Sequence, residues 1–287
     1  MSLFEACDFE HIFVYDLEFI GDVNNLKTCQ IWDISIMHAN TGEIFNAIID
    51  PDPQTRTFPP PVVEGLFPLT RQFLSENNAL PFNVAWNAIL KWVGNRVFGM
   101  KCCFVSHNNF CSDKPVLENH ILRYNLTIPT NYFFFDSLHF FRDNVKNIYD
   151  YSLKGLVKLF MNIDHVDAHR AEIDTKRLYS CLKIYTNNRW TLTGPVYPAY
   201  ISSLRVLKGI GQSVEMYFWH AGFQCVEIMV QHIINIIIQS NKTPDTCIEQ
   251  FVNDILRPRD VPADNITTVV QSLFSRYVGT NTLDNVF

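Results

Sequence analysis

The stretch HIFVYDLEFIG, residues 11–21, constrains the fold of this chain more than any other segment. Ile12, Phe13, Val14 and Tyr15 form a run of β-branched and aromatic side chains, which predicts a buried strand. The strand then places Asp16 and Glu18 with only Leu17 between them. Strand side chains repeat every second residue, so both carboxylates project from one face. Like charges held side by side repel, and a cation relieves them. A donor set made of oxygen atoms suits Mg²⁺ or Mn²⁺ rather than zinc.

Three further signals follow in a fixed order: Asp113 in SHNNFCSDKPVLENH, then His169 and Asp174 in DAHRAEIDTKRL. Four carboxylates and one imidazole, with no cysteine among them, point to two-metal chemistry at a phosphodiester. Each motif alone is weak. A D-x-E on a strand often does no more than end it in water, and an H-N pair before a helix is usually a turn and cap. His169 five residues before Asp174 could simply begin a helix. The weight lies in the joint pattern, because every signal stands beside the predicted element that the chemistry requires.

Over residues 9 to 186 the chain resembles the DnaQ-like 3′–5′ exonucleases of the DEDD type whose last motif carries histidine. DLEFIG is similar to the first motif, D-x-E with a small turn residue after it, here Gly21. SHNNFCSDKPVL is similar to the second and AHRAEID to the third. Ser112 departs from the pattern, standing before Asp113 where an aromatic residue is usual, yet Asp113 keeps its spacing from His107 and Asn108. LFPLTRQFL occupies the place of a threonine-glycine turn ahead of a helix. YFFFDSLHFFRD resembles the strand and D-[ST]-L step after the second motif, and YSLKGLVKLF the short helix before the third. The nearest branch is that of the three-prime repair exonucleases.

This resemblance implies a ribonuclease H-like α/β fold, a mixed sheet flanked by helices, and two divalent cations, Mg²⁺ or Mn²⁺. It implies that Asp16 bridges the two ions, that Glu18 and Asp174 complete one site, and that Asp113 serves the other. His169 would take the proton of the attacking water, a role that suits an imidazole with an ordinary pKa near ~6.5. Leu17, Phe19, His107 and Asn108 would contact the substrate. The expected reaction releases nucleoside 5′-monophosphates from 3′ ends of nucleic acid, single-stranded or frayed DNA before RNA. The alternatives are an exoribonuclease and a proofreading or adaptor subunit bound to a replication or repair protein.

Along the chain, HIFVYDLE, QIWDISIMHA and EIFNAIID predict three consecutive strands, the last two joined by a turn at Asn40-Thr41-Gly42. PDPQTRTFPPPVVEG is too rich in proline for a helix. A helix from Asn83 to Arg96, the strand KCCFVSHN, a helix starting near Asp113, the strand YFFFDS and a helix over HRAEIDTKRLYSCLKIY complete a first domain, residues 1–186. Residues 187–200, which lose periodicity and carry prolines, are expected to be a linker.

Residues 201–287 predict a smaller all-α accessory domain. SLRVLKGIGQSVEMYFWHAGFQCVEIMVQHI resembles a helix-hairpin-helix motif, with its hairpin at Leu207 to Gly211. Lys208, Gly209 and Gly211 are the candidate phosphate contacts there, since glycines admit close approach of backbone N–H groups. Bulky Met216, Tyr217, Phe218 and Trp219 in the second helix equally fit a domain that serves packing or a protein partner.

The net charge of −6 argues against broad adhesion to a polyanion and confines nucleic-acid contact to a small zone. Eight cysteines without C-x-x-C pairing read as buried thiols of a cytoplasmic or nuclear protein rather than a disulfide framework. MSLFEACDFEH does not read as a secretory segment, and no apolar run is long enough to span a bilayer.

Overall fold

The structure, a computed structural model, describes residues 4–5, 9–23, 26–51, 69–164, 170–199, 204, 207, 209–223, 225–240 and 242–280. His169, Lys208, nearly all of the proline-rich connection and the expected first helix of the hairpin motif, apart from Leu204 and Leu207, lie outside them. The chain divides into two units, Met1–Tyr200 and Ile201–Phe287.

Among the described residues the first unit has eight strands: β1 (Phe4–Glu5), β2 (His11–Ile20), β3 (Gln30–His38), β4 (Ile44–Asp50), β5 (Leu80–Pro81), β6 (Cys102–Ser106), β7 (Tyr132–Asp136) and β8 (Pro195–Pro198). Its helices are α1 (Arg71–Glu76), α2 (Phe82–Val97), α3 (Asp113–Arg123), α4 (Ser137–Asn144), α5 (Leu153–Met161) and α6 (Ala171–Tyr185). The strands line up in the order β1-β8-β7-β6-β2-β3-β4-β5. β2 pairs antiparallel with β3 and parallel with β6, which is itself parallel to β7. The mixed sheet flanked by helices expected of a ribonuclease H-like fold is what forms.

Alternation along β2 sorts its two faces. Ile12 and Val14, with Cys103, Val105, Phe133 and Phe135, pack against Leu156 and Val157 of α5 and Leu178, Cys181 and Leu182 of α6. On the other face Phe13 meets Trp92 of α2 edge-on, with ring centres 5.8 Å apart. Tyr15 donates its hydroxyl to Asn109, in the turn between β6 and α3. Asp16 and Glu18 continue the face of Ile12 and Val14, beneath α6. Gly21 ends this strand at φ +112°, and a Cβ there would come within 2.5 Å of the Thr28 carbonyl oxygen, so the turn requires glycine.

Within the span expected to be a linker, the described residues 187–199 build onto the first unit. Leu192, Val196 and Tyr197 are fully buried, and β8 extends the sheet antiparallel to β7 and to β1. A four-residue strand with proline at each end is too short to show alternation, and its prolines sit at the ends, where a ladder tolerates them. The LTRQFL segment forms α1, with Thr70 accepting a hydrogen bond from the Phe73 N–H as its cap (3.0 Å).

The second unit contains α7 (Gln212–His220), α8 (Val226–Gln239), α9 (Pro244–Leu256) and α10 (Asp264–Thr280). Phe218, Met229, Ile233, Ile248, Phe251, Val252, Leu256 and Val270 form its core, so the bulk of Phe218 in α7 serves packing. No helix among the described residues is long and apolar enough to cross a membrane. All seven described cysteines are free thiols, six of them buried.

Candidate metal centre

The centre forms where β2 passes beneath the start of α6. Asp16 and Glu18 come from β2, and Asp174 from the first turn of α6, which packs across β2 and β3. One carboxylate oxygen from each of the three lies within 4.8 Å of the others. No other trio of acidic, histidine or cysteine side chains among the described residues meets so closely. Asp113, the first residue of α3, accepts the Leu17 N–H on Oδ1 at 3.0 Å. Its carboxylate is thereby tied to the peptide between the two acids of β2.

The turn that delivers Asp113 is held from below. Asn109, fully buried, accepts the Tyr15 hydroxyl and donates to the Phe135 carbonyl at 2.9 Å. Asp136, at the end of β7, accepts the Phe110 N–H (3.1 Å) and caps α4 through the Leu138 N–H (2.9 Å). β2 and β7, on either side of β6, thus fix the loop that follows β6. The carboxyl ends of parallel strands, where α/β sheets place their sites, supply the geometry.

Burial and mutual repulsion act in the same direction on these acids. Burial first, then Asp113, Glu18, Asp174 and Asp33, push the Asp16 carboxyl well above the usual carboxylate range. Glu18 is raised to about 8, by burial and then by Asp174 and Asp33. Burial raises Asp113 to about 7, against the lowering effect of its hydrogen bond from Leu17. Such a cluster binds protons or a cation. Its donors are all carboxylate oxygens, the set that fits a hard divalent ion such as Mg²⁺ or Mn²⁺.

Asp33 joins this cluster without a motif to announce it. It stands opposite Glu18 in the β2–β3 ladder and is 2% exposed. Its Oδ2 accepts from Arg170 Nε at 3.0 Å and from the Ala171 N–H at 3.3 Å. The available signal was an acid inside QIWDISIMH, a strand buried at all nine positions, since aspartate is rarely buried without a partner.

Similarity in structure extends to the crystal structure of cell-death related nuclease 4 (CRN-4), with 16% identity over 66% of this chain and 68% of that one, at a TM-score of 0.45. It extends to the nuclease domain of 3′hExo, a DEDDh family member bound to rAMP (13% identity, 64% and 95% coverage, TM-score 0.47). A third is the zinc-bound E. coli ExoI–ssDNA complex (16% identity, 62% and 41% coverage, TM-score 0.45). No protein-family model and no curated protein matches the sequence. Likeness at this level carries no argument about activity, which rests on the site itself.

The expected substrate contacts are distributed differently from the acids. Leu17 is 5% exposed and, by the alternation of β2, faces away from Asp16 and Glu18; its N–H serves Asp113. A β-bulge between Glu18 and Phe19 shifts the register there, and Phe19 is half-buried. His107 has both ring nitrogens engaged, Nδ1 with Ser137 Oγ (3.1 Å) and Nε2 with the Tyr151 carbonyl (2.9 Å). Burial lowers its pKa, which favours the neutral imidazole. Asn108 is half-buried at φ +60°, a left-handed position that asparagine tolerates in a turn. In the second unit, Ile210 N–H closes a turn onto the Leu207 carbonyl (3.0 Å) with Gly209 at φ +91°. Gly209 and Gly211 are exposed with open space around them.

Proposed function

We propose that this chain is a metal-dependent 3′–5′ exonuclease that releases nucleoside 5′-monophosphates from 3′ ends of nucleic acid, with single-stranded or frayed DNA as the favoured substrate. The observation that carries the reading is the convergence of Asp16, Glu18 and Asp174 within 4.8 Å, with Asp113 bonded to the peptide between the first two. Asp16, Glu18 and Asp174 would hold the cation, and Asp113 would complete the acidic wall from α3. Mg²⁺ or Mn²⁺ bound there would supply Lewis acidity to the attacking and leaving oxygens of an in-line displacement. His169 is the group assigned to take the proton from the attacking water as the bond to the 3′ oxygen breaks.

The second unit is assigned an accessory role in holding substrate. The Leu207–Ile210 turn leaves Gly209 and Gly211 exposed at the start of α7, where backbone N–H groups can meet a phosphate without reading sequence. The test of the whole reading is digestion of matched 3′-labelled DNA and RNA with and without Mn²⁺. Stepwise release of mononucleotides supports it, and the ratio of the two rates sets the substrate class. Binding without hydrolysis in Mn²⁺ would identify an adaptor that retains the fold.

A further inference from the structure

The three-carboxylate group exists only because α6 carries Asp174 to within 4.8 Å of the β2 acids, so what fixes the start of α6 matters. Arg170 is the residue preceding the helix, and it makes no side-chain cap, since a guanidinium has donors and no acceptor. The acceptor comes from another element. Asp33 on β3 takes the Ala171 N–H, the first of the helix, and pairs with Arg170 through the same oxygen. The Arg170 carbonyl in turn accepts from the N–H groups of Ile173 (2.8 Å) and Asp174 (3.1 Å). The residue that Asp33 grips is therefore the one that begins the turn bearing Asp174.

Two further contacts fix the same end. The guanidinium carbon of Arg170 lies 5.8 Å from the centre of the Phe73 ring. One turn into α6, Thr175 donates to the Ser35 carbonyl of β3 at 3.4 Å, and both Ala171 and Thr175 are fully buried. Glu18 and Asp33 are cross-strand partners, so this anchor sits beside one ligand while holding another. Arg170 also balances the charge of Asp33 next to three carboxylates, which marks Asp33 as a partner of the helix rather than a fourth ligand.

We propose that Asp33 and Arg170 form a positioning clamp that sets the spacing between Asp174 and the β2 carboxylates, and thereby the cation affinity of the centre. This rests on the metal-centre reading above. Outer partners of metal ligands typically change affinity by about 10–100-fold when removed. Mn²⁺ titration calorimetry on the full chain should show a loss of that size for Asp33→Ala and for Arg170→Ala, in variants shown by cooperative thermal unfolding to be folded. The double variant should be no worse than the weaker-binding single one. Asp33→Asn, which keeps an acceptor for the Ala171 N–H, should recover part of the loss.

Amide hydrogen exchange gives an arm independent of metal. In Asp33→Ala the amides of Ala171 to Asp174 should exchange faster while those of Leu178 to Leu182 keep their protection. If Asp33 were itself a ligand, Arg170→Ala would leave affinity unchanged or tighten it and the two substitutions would not share one effect, which overturns the clamp. Unchanged affinity in both folded single variants would do the same. Should the wild type bind no Mn²⁺, the metal-centre reading fails, and exchange alone decides: unaltered protection at Ala171 to Asp174 in Asp33→Ala refutes the clamp, and selective loss there upholds it.

Discussion

Glu18 is the residue whose environment is easiest to read as a pH dependence. Its carboxyl is raised from an ordinary 4.5 to about 8, chiefly by burial. In the unfolded chain it ionises near the ordinary value, so the fold carries no penalty from it below that pH. The penalty grows as pH climbs from there and is complete above the folded value. Thermal unfolding in chelator should therefore show Tm falling from about pH 5.5 to about pH 8.5, with a shallower fall in Glu18→Gln. Added Mn²⁺ should raise Tm most at the alkaline end; an equal increment at every pH would contradict the assignment. For His169, replacement by alanine should cost ~10²–10⁴-fold in turnover, measured on a 3′-labelled oligonucleotide, while Mn²⁺ binding stays intact. The meeting of Asp16, Glu18 and Asp174, with Asp113 bonded to Leu17, was legible in the sequence because each lies in a short local pattern beside its own element. Asp33 was not, because its partners are Glu18 across a strand pair and Arg170, 137 positions away in sequence.

At the scale of elements, the strands and helices with clear periodicity were legible, and the pieces that close the sheet were not. β2, β3 and β4 followed from their runs of β-branched and aromatic residues and from the Asn40-Thr41-Gly42 turn. β8 was hidden because four residues with two prolines carry no period, and only its pairing to β7 and the buried Val196 and Tyr197 reveal it. The bulge after Glu18 was equally invisible, since register is a property of the β2–β3 pair. Gly21 offers a test of how tightly the end of β2 is built. Gly21→Ala should destabilise the fold by about 1 kcal/mol or more in urea unfolding, and by more than Gly42→Ala. Both have positive φ, but a Cβ at Gly42 meets nothing within 4 Å, whereas at Gly21 it meets backbone. Equal effects would show that the turn yields where the geometry says it cannot.

For the whole molecule, a net charge of −6 leaves phosphate contact to local features, and the Gly209 turn is the one proposed in the second unit. If Lys208 contributes there, Lys208→Glu should weaken binding of long substrates irrespective of sequence, and flatten the log–log salt dependence by about 0.7–0.9 per lost contact. Unchanged affinity and slope in a folded variant would make that unit a packing or partner-binding element. On the proposed function, the β2 and α6 carboxylates form a metal centre that removes nucleotides one at a time from a 3′ end. The most direct measurement follows a 3′-labelled single-stranded DNA with wild-type protein and Asp174→Ala, in Mn²⁺ and in EDTA. A labelled nucleoside 5′-monophosphate should appear first, with wild type and Mn²⁺ only. Internal fragments as the first products, turnover in EDTA, or undiminished cleavage by Asp174→Ala would contradict it.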